Sequence, residues 1–223
     1  MSGSLALVGG DPFGATHGHH DAFLEAGTKV TLLPTAMAFE NPAPHIDAAR
    51  AHLEALGVSL EVVPVYTRAD ALERANAQKV AGAEVLYLTG GSPMHLRSVL
   101  VGTPLLEAGV AAWEGGTTVV AAAESNSVLC THMVDNRGGA FTVGIGLITT
   151  LTAIGRFDHW SHDKWHRTVA LAPRDLPVVG IDEATSLLRA ADGTWSTHGS
   201  GEVHVFVNGS AATLDDLPDR LAG

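Results

Sequence analysis

The stretch VLYLTGGSPMHL, residues 85–96, and the later GGTTVVAAAESNSVL, residues 115–129, decide how this chain folds. Each begins or continues as an apolar run of strand length and breaks at a small-residue turn, Thr89-Gly90-Gly91 in one and Ala123-Glu124-Ser125-Asn126 in the other. A helix is expected after each turn, and residues 104–113 form another between them, closed by Gly115-Gly116.

Working outward, the same unit recurs. Residues 5–8 are a buried strand ended by Gly9-Gly10, and residues 30–33 are a strand ended by Pro34. Between Pro42 and Gly57 the apolar positions Ile46, Ala49, Leu53 and Leu56 recur at three- and four-residue spacing, which predicts an amphipathic helix with His45 and His52 on its exposed face. Residues 60–66 form a Val-rich strand, and residues 70–81 a helix N-capped by Asp70. Repeated strand–helix units imply an α/β fold with an open, mostly parallel sheet covered by helices on both faces. After Gly138-Gly139 short β-like runs at 167–171, 178–181, 186–189 and 203–207 predict edge strands and hairpins added to that sheet. No linker composition divides the 223 residues, so a single domain over 1–223 is expected.

Hydrophobic residues make up 46% of the chain and charged ones 17%, ordinary values for a globular protein. The net charge of −11 argues against nucleic acid and anionic membrane surfaces as partners. Cys130 is the lone cysteine, the N-terminal residues lack the pattern of an export signal, and no apolar run approaches the ~20 residues of a membrane span. A cytoplasmic location is the expectation.

Ligands of an open parallel sheet bind beyond the carboxyl ends of its strands. Four loops fall there: GGDPFGATHGHHD with His17, His19 and His20; TGGSPMHL, whose Gly90, Gly91 and Ser92 offer oxyanion or substrate contacts; the junction at Glu124; and FDHWSHDKWH with His159, Trp160, His162 and His166. His162 and His166 fall on one face of a helical turn, and His95 is placed to cap the turn after TGG.

These segments resemble the cyanophycinase and dipeptidase E family of serine hydrolases, peptidase family S51. The strand, TGG turn, helix and elbow, the later TVGIGLI and the run VVGIDEATSLL at 178–188 carry the likeness. It implies a sheet like that of class I glutamine amidotransferase domains, a small peptide-like substrate and a homodimer. The family elbow reads roughly Gly-x-Ser-Ala-Gly-Ala; aligned without gaps, Ala122 stands for the first glycine, Glu124 for the serine, Ser125 for the alanine and Asn126 for the second glycine. His159 matches the family's catalytic histidine, and Asp135 is the candidate for its acidic partner.

With Glu124 in the serine's place, three chemistries are open: general base on water, nucleophile through an anhydride, or metal ligand. The last would join Glu124 and His159 to His17, His19 or His20 around one Zn²⁺ or Fe²⁺. The resulting reading is hydrolysis or a related elimination at a C–N bond of a small amino-acid- or peptide-derived molecule, with Asn126 and Trp160 lining the site. Two alternatives stand beside it: an inactive binding or assembly protein, and a serine peptidase using Ser125. Cys130 is expected to be a buried apolar side chain.

Overall fold

The computed structural model describes residues 2–10, 12–14 and 23–222. Strands β1 (Leu5–Val8), β2 (Lys29–Leu33), β3 (Ser59–Val62), β4 (Val85–Leu88) and β5 (Thr118–Ala122) lie parallel in the order β3-β2-β4-β5-β1. Helices α1 (Ala43–Ala55), α2 (Arg68–Leu72), α3 (Arg74–Ala81), α4 (Pro93–Leu100), α5 (Pro104–Glu114) and α6 (Ser125–Leu129) connect them. Because strand side chains alternate, β1 sends Ala6 and Val8 to the layer containing Leu53 of α1, and Leu5 and Leu7 to the layer containing Leu96, Leu105 and Trp113. Burial on both faces explains why β1 and β4 read as unbroken apolar runs.

The C-terminal part continues with β6 (His132–Val134), β7 (Phe141–Val143), β8 (Thr152–Gly155), α7 (His162–Ala170), β9 (Val178–Ile181), β10 (Thr185–Arg189), β11 (Trp195–Gly199), β12 (Val203–Val207) and β13 (Ser210–Ala212). Only β10 and β11 extend the main sheet, antiparallel beside β1. Strands β9 and β12 instead form a second sheet, β13-β12-β9-β8, with a strand β8 that its short sequence did not announce. Val179, Ile181 and Val205 of this sheet join the same apolar cluster as Leu5 and Leu7 of β1.

Three local expectations are corrected. Residues 167–170 belong to helix α7: Thr168 and Val169 are its buried face and Trp165 stacks at 5.1 Å on Phe206, so one-sided packing outweighs the strand preference of the Thr-Val pair. The N-cap after β3 is Thr67, with Asp70 closing a capping box at N3, and an extended Glu73 breaks the expected helix into α2 and α3. His45 and His52 are half-buried against Phe13, at 5.3 and 6.0 Å between ring centroids; at i, i+4 and i+7 they share the inward face with Ala49. Among the described residues no helix is long and apolar enough to cross a membrane.

Candidate active site

The carboxyl ends of β1, β4 and β5 are stitched together around the Ala123–Glu124 turn. Ala123 donates its N–H to the Val8 carbonyl at 2.8 Å, the Asn126 side-chain amide reaches the same carbonyl at 2.9 Å, and the Ser125 hydroxyl donates to the Thr89 carbonyl at 2.5 Å. Ala123 takes up the bend with φ of +50°, a conformation that disfavours any residue bearing a Cβ, whereas Glu124 is already in right-handed helical geometry at φ −64°.

From that turn the Glu124 carboxylate reaches the Gly91 N–H, which donates to Oε2 at 3.2 Å. Gly91 has φ of +129°, and a Cβ there would lie 2.5 Å from the Ala36 carbonyl oxygen, so the loop needs glycine at this position. The second carboxylate oxygen, Oε1, faces Arg156 Nη1 at 3.9 Å. Arg156 follows β8 in a left-handed conformation, its N–H fastened to the Gly9 carbonyl at 2.8 Å, and its Nε lies 3.7 Å from Glu183 Oε1. The other oxygen of Glu183 meets His159 Nε2 at 2.9 Å, and the Glu183 backbone N–H is held by Asp158 Oδ1 at 2.9 Å. A chain of side-chain contacts therefore runs from Glu124 through Arg156 and Glu183 to His159.

Two clefts open on this line. One, of about 220 Å³, is lined by Glu124, Ser127, Asn136, Arg156, His159 and Lys164, with Trp160 in its wall. The other, also of about 220 Å³, is lined by Glu40, His45, Gly90, Gly91 and Ala123, with Glu124 and Arg156 forming the shared border. Lys164 Nζ sits 3.6 Å over the Trp160 ring. Burial lowers the Lys164 pKa, opposed by the charges of Asp135 and Glu124.

A family model for peptidase family S51 matches residues 7–139, more than half of the chain. The chain belongs to peptidase family S51. A crystal structure of a peptidase from an acI-B1 Actinobacterium is similar at 26% identity with a TM-score of 0.82, over 95% of this chain and 93% of that one. A putative peptidase E protein from Listeria monocytogenes EGD-e, at 15% identity, shares the fold with a TM-score of 0.71 over 90% of this chain and 100% of its own. No curated protein matches the chain. Family membership supports a hydrolase-like, peptidase-related enzyme.

Within this S51 site the expected residues divide. Glu124, His159, Trp160, Gly90 and Gly91 border the clefts. Ser125 does not: its side chain is fully buried and its hydroxyl engaged by Thr89, which leaves no accessible nucleophile there. Asn126 is likewise fully buried, tying the elbow to β1 rather than facing a ligand. Ser92 caps α4 through the His95 N–H at 3.4 Å. His95 does not cap the turn with its ring, which instead meets the Tyr66 carbonyl at 2.8 Å. Asp135 pairs with Arg137, whose hydrogen bonds hold its carboxyl down to about 2, and the acid nearest His159 is Glu183, with Asp158 Oδ2 farther off at 3.7 Å. His162 and His166 stack at 5.5 Å on one face of α7, as their spacing predicts. Cys130 is buried, and burial pushes its thiol up to about 12. His17, His19 and His20 lie outside the described residues; among the described ones no three His, Cys, Asp or Glu side chains converge as a metal-holding group.

Arg156, Glu183 and Lys164 were not foreseen as site residues. Glu183 had a signal, since it stands directly beyond the apolar run 178–181 in the GIDE segment, where a parallel strand delivers its loop to the site. Arg156 carries none, because the four residues of β8 before it show no alternating pattern.

Proposed function

We propose that this protein is a hydrolase of small amino-acid-derived or peptide-like molecules that attacks a C–N bond, or performs a related elimination there, without a covalent acyl intermediate. The observation that carries this reading is the Glu124 carboxylate, 3.2 Å from the Gly91 N–H and shared by both clefts. As a general base it takes a proton from water while the water oxygen bonds to the carbonyl carbon. The developing oxyanion is received by the amides of Gly90 and Gly91, the Gly91 N–H passing from Glu124 to the substrate oxygen. As the C–N bond breaks, His159, oriented by Glu183, delivers a proton to the leaving amine. A metal-assisted form of the same hydrolysis would add His17, His19 or His20 to Glu124 and His159; elemental analysis of tag-free protein against Glu124→Ala tests it, with about one Zn²⁺ or Fe²⁺ per chain lost in the variant.

The test of the main reading is Glu124→Gln, assayed for amine release from a panel of dipeptides and amino-acid amides. Turnover is expected to vanish with the thermal midpoint nearly unchanged; full activity in the variant overturns the reading. A second reading, a binding or assembly protein that has lost the chemistry, is favoured by one observation: the Gly91 N–H is already occupied by Glu124. On that reading Glu124→Gln and His159→Ala both complement a deletion strain fully.

A further inference from the structure

A nucleophile elbow is defined by its backbone: the nucleophile stands on the one strained residue between strand and helix, and the next residue's N–H belongs to the oxyanion site. In this chain the strained residue is Ala123, with φ of +50°, and Glu124 follows it in helical geometry. A left-handed alanine crowds its Cβ against the backbone, a strain that a glycine would avoid. Two glycines stand around it. A Cβ on Gly155 would lie 2.5 Å from the Ala123 carbonyl oxygen, and a Cβ on Gly90 would lie 2.9 Å from the Ala123 Cβ and 3.3 Å from Glu124 Oε2. Ala123 is nearly buried, yet it borders the cleft that also holds Gly90, Gly91 and Glu124.

We infer that the place of the covalent nucleophile in this elbow is Ala123, one residue earlier than an ungapped reading of the motif puts it, and that Glu124 is the residue after it. Two consequences follow for the site. The methyl of Ala123 leaves the space beside Gly90 free of a nucleophilic oxygen, and that space lies within reach of the Glu124 carboxylate. Glu124 Oε2 itself accepts from the Gly91 N–H, so in the resting site that donor is taken by the chain's own carboxylate. The position of the elbow rests on the backbone alone; only the idea that attacking water uses that space rests on the proposed hydrolysis.

The test installs an oxygen at each position. Ala123→Ser and Glu124→Ser are treated with a fluorophosphonate and the adduct is mapped by mass spectrometry. In the expected reaction the serine Oγ bonds to phosphorus, the P–F bond breaks, fluoride leaves, and the hydroxyl proton passes to Glu124 or His159. An adduct on residue 123 of Ala123→Ser, with none on Glu124→Ser or the native chain, is the expected result. An adduct on residue 124 overturns it, as does a folded Ala123→Ser that stays unlabelled. Should Ala123→Ser fail to fold, Ala123→Cys is alkylated with iodoacetamide at pH 6, where the buried Cys130 is silent. Alkylation about tenfold faster than glutathione supports the assignment, because such a thiol is activated at this turn; a rate equal to or below that of glutathione overturns it. Neither readout uses the turnover of Glu124→Gln, so failure here leaves the hydrolase reading standing and the reverse also holds.

Discussion

His159 Nε2 lies 2.9 Å from Glu183 Oε2, and the other oxygen of the same carboxylate lies 3.7 Å from Arg156 Nε. One acid beyond β9 thus orients both the candidate proton donor and the cation that faces Glu124. Glu183→Gln is expected to lower kcat/KM by roughly 100-fold, the lower range of what a positioned acid–base group contributes. Asp135→Asn, whose carboxylate serves Arg137 instead, is expected to leave it unchanged. Steady-state kinetics on the best substrate of the panel compares the two.

Gly90→Ala tests the space beside the elbow. Its new methyl would crowd Ala123 Cβ at 2.9 Å and Glu124 Oε2 at 3.3 Å without entering forbidden backbone space, because Gly90 is not among the left-handed glycines. Activity is expected to fall at least about tenfold, with stability lowered by about 1–3 kcal/mol as expected of overpacking. Urea unfolding alongside the activity assay separates the two effects.

Ala123→Gly removes a buried methyl, at about 0.8 kcal/mol, but also relieves a left-handed residue by about the same amount. Its stability is expected to match the native chain within about 1 kcal/mol. Ala121→Gly, inside β5 and fully buried, has no such offset and is expected to lose about 1–2 kcal/mol. Paired urea titrations of the two variants read the difference.

Arg137 holds the Asp135 carboxyl down to about 2. A carboxyl whose pKa is lower in the folded than in the unfolded state binds its proton more weakly when folded, so it adds stability above about pH 4. That contribution is lost as pH falls toward 2. Asp135→Asn is therefore expected to be slightly less stable than the native chain at pH 6 and equal to it near pH 2, measured by thermal unfolding across that range. The effect is small because Arg137 is exposed.

Element type was legible where local pattern and tertiary role agree. The runs 5–8, 30–33 and 85–88, apolar apart from Thr31 and ended at turns containing a glycine or proline, are strands because burial on both sheet faces favours apolar side chains along their length. The elbow and the TGG turn followed from the same punctuation, and with them the end of the sheet on which Glu124, Gly91 and His159 lie. Tertiary structure alone decided the rest. Strand β8 has four residues and no alternation, so its pairing with β9, and with it the place of Arg156, comes from long-range hydrogen bonding that no local pattern encodes. Asp135 and Glu183 are both acids near loops, and only the path of β9 past His159 chooses between them. Ser125 reads as a hydroxyl beside the site until the turn swings it against the Thr89 carbonyl, because the left-handed bend at Ala123, two residues earlier, sets the direction in which the chain enters α6.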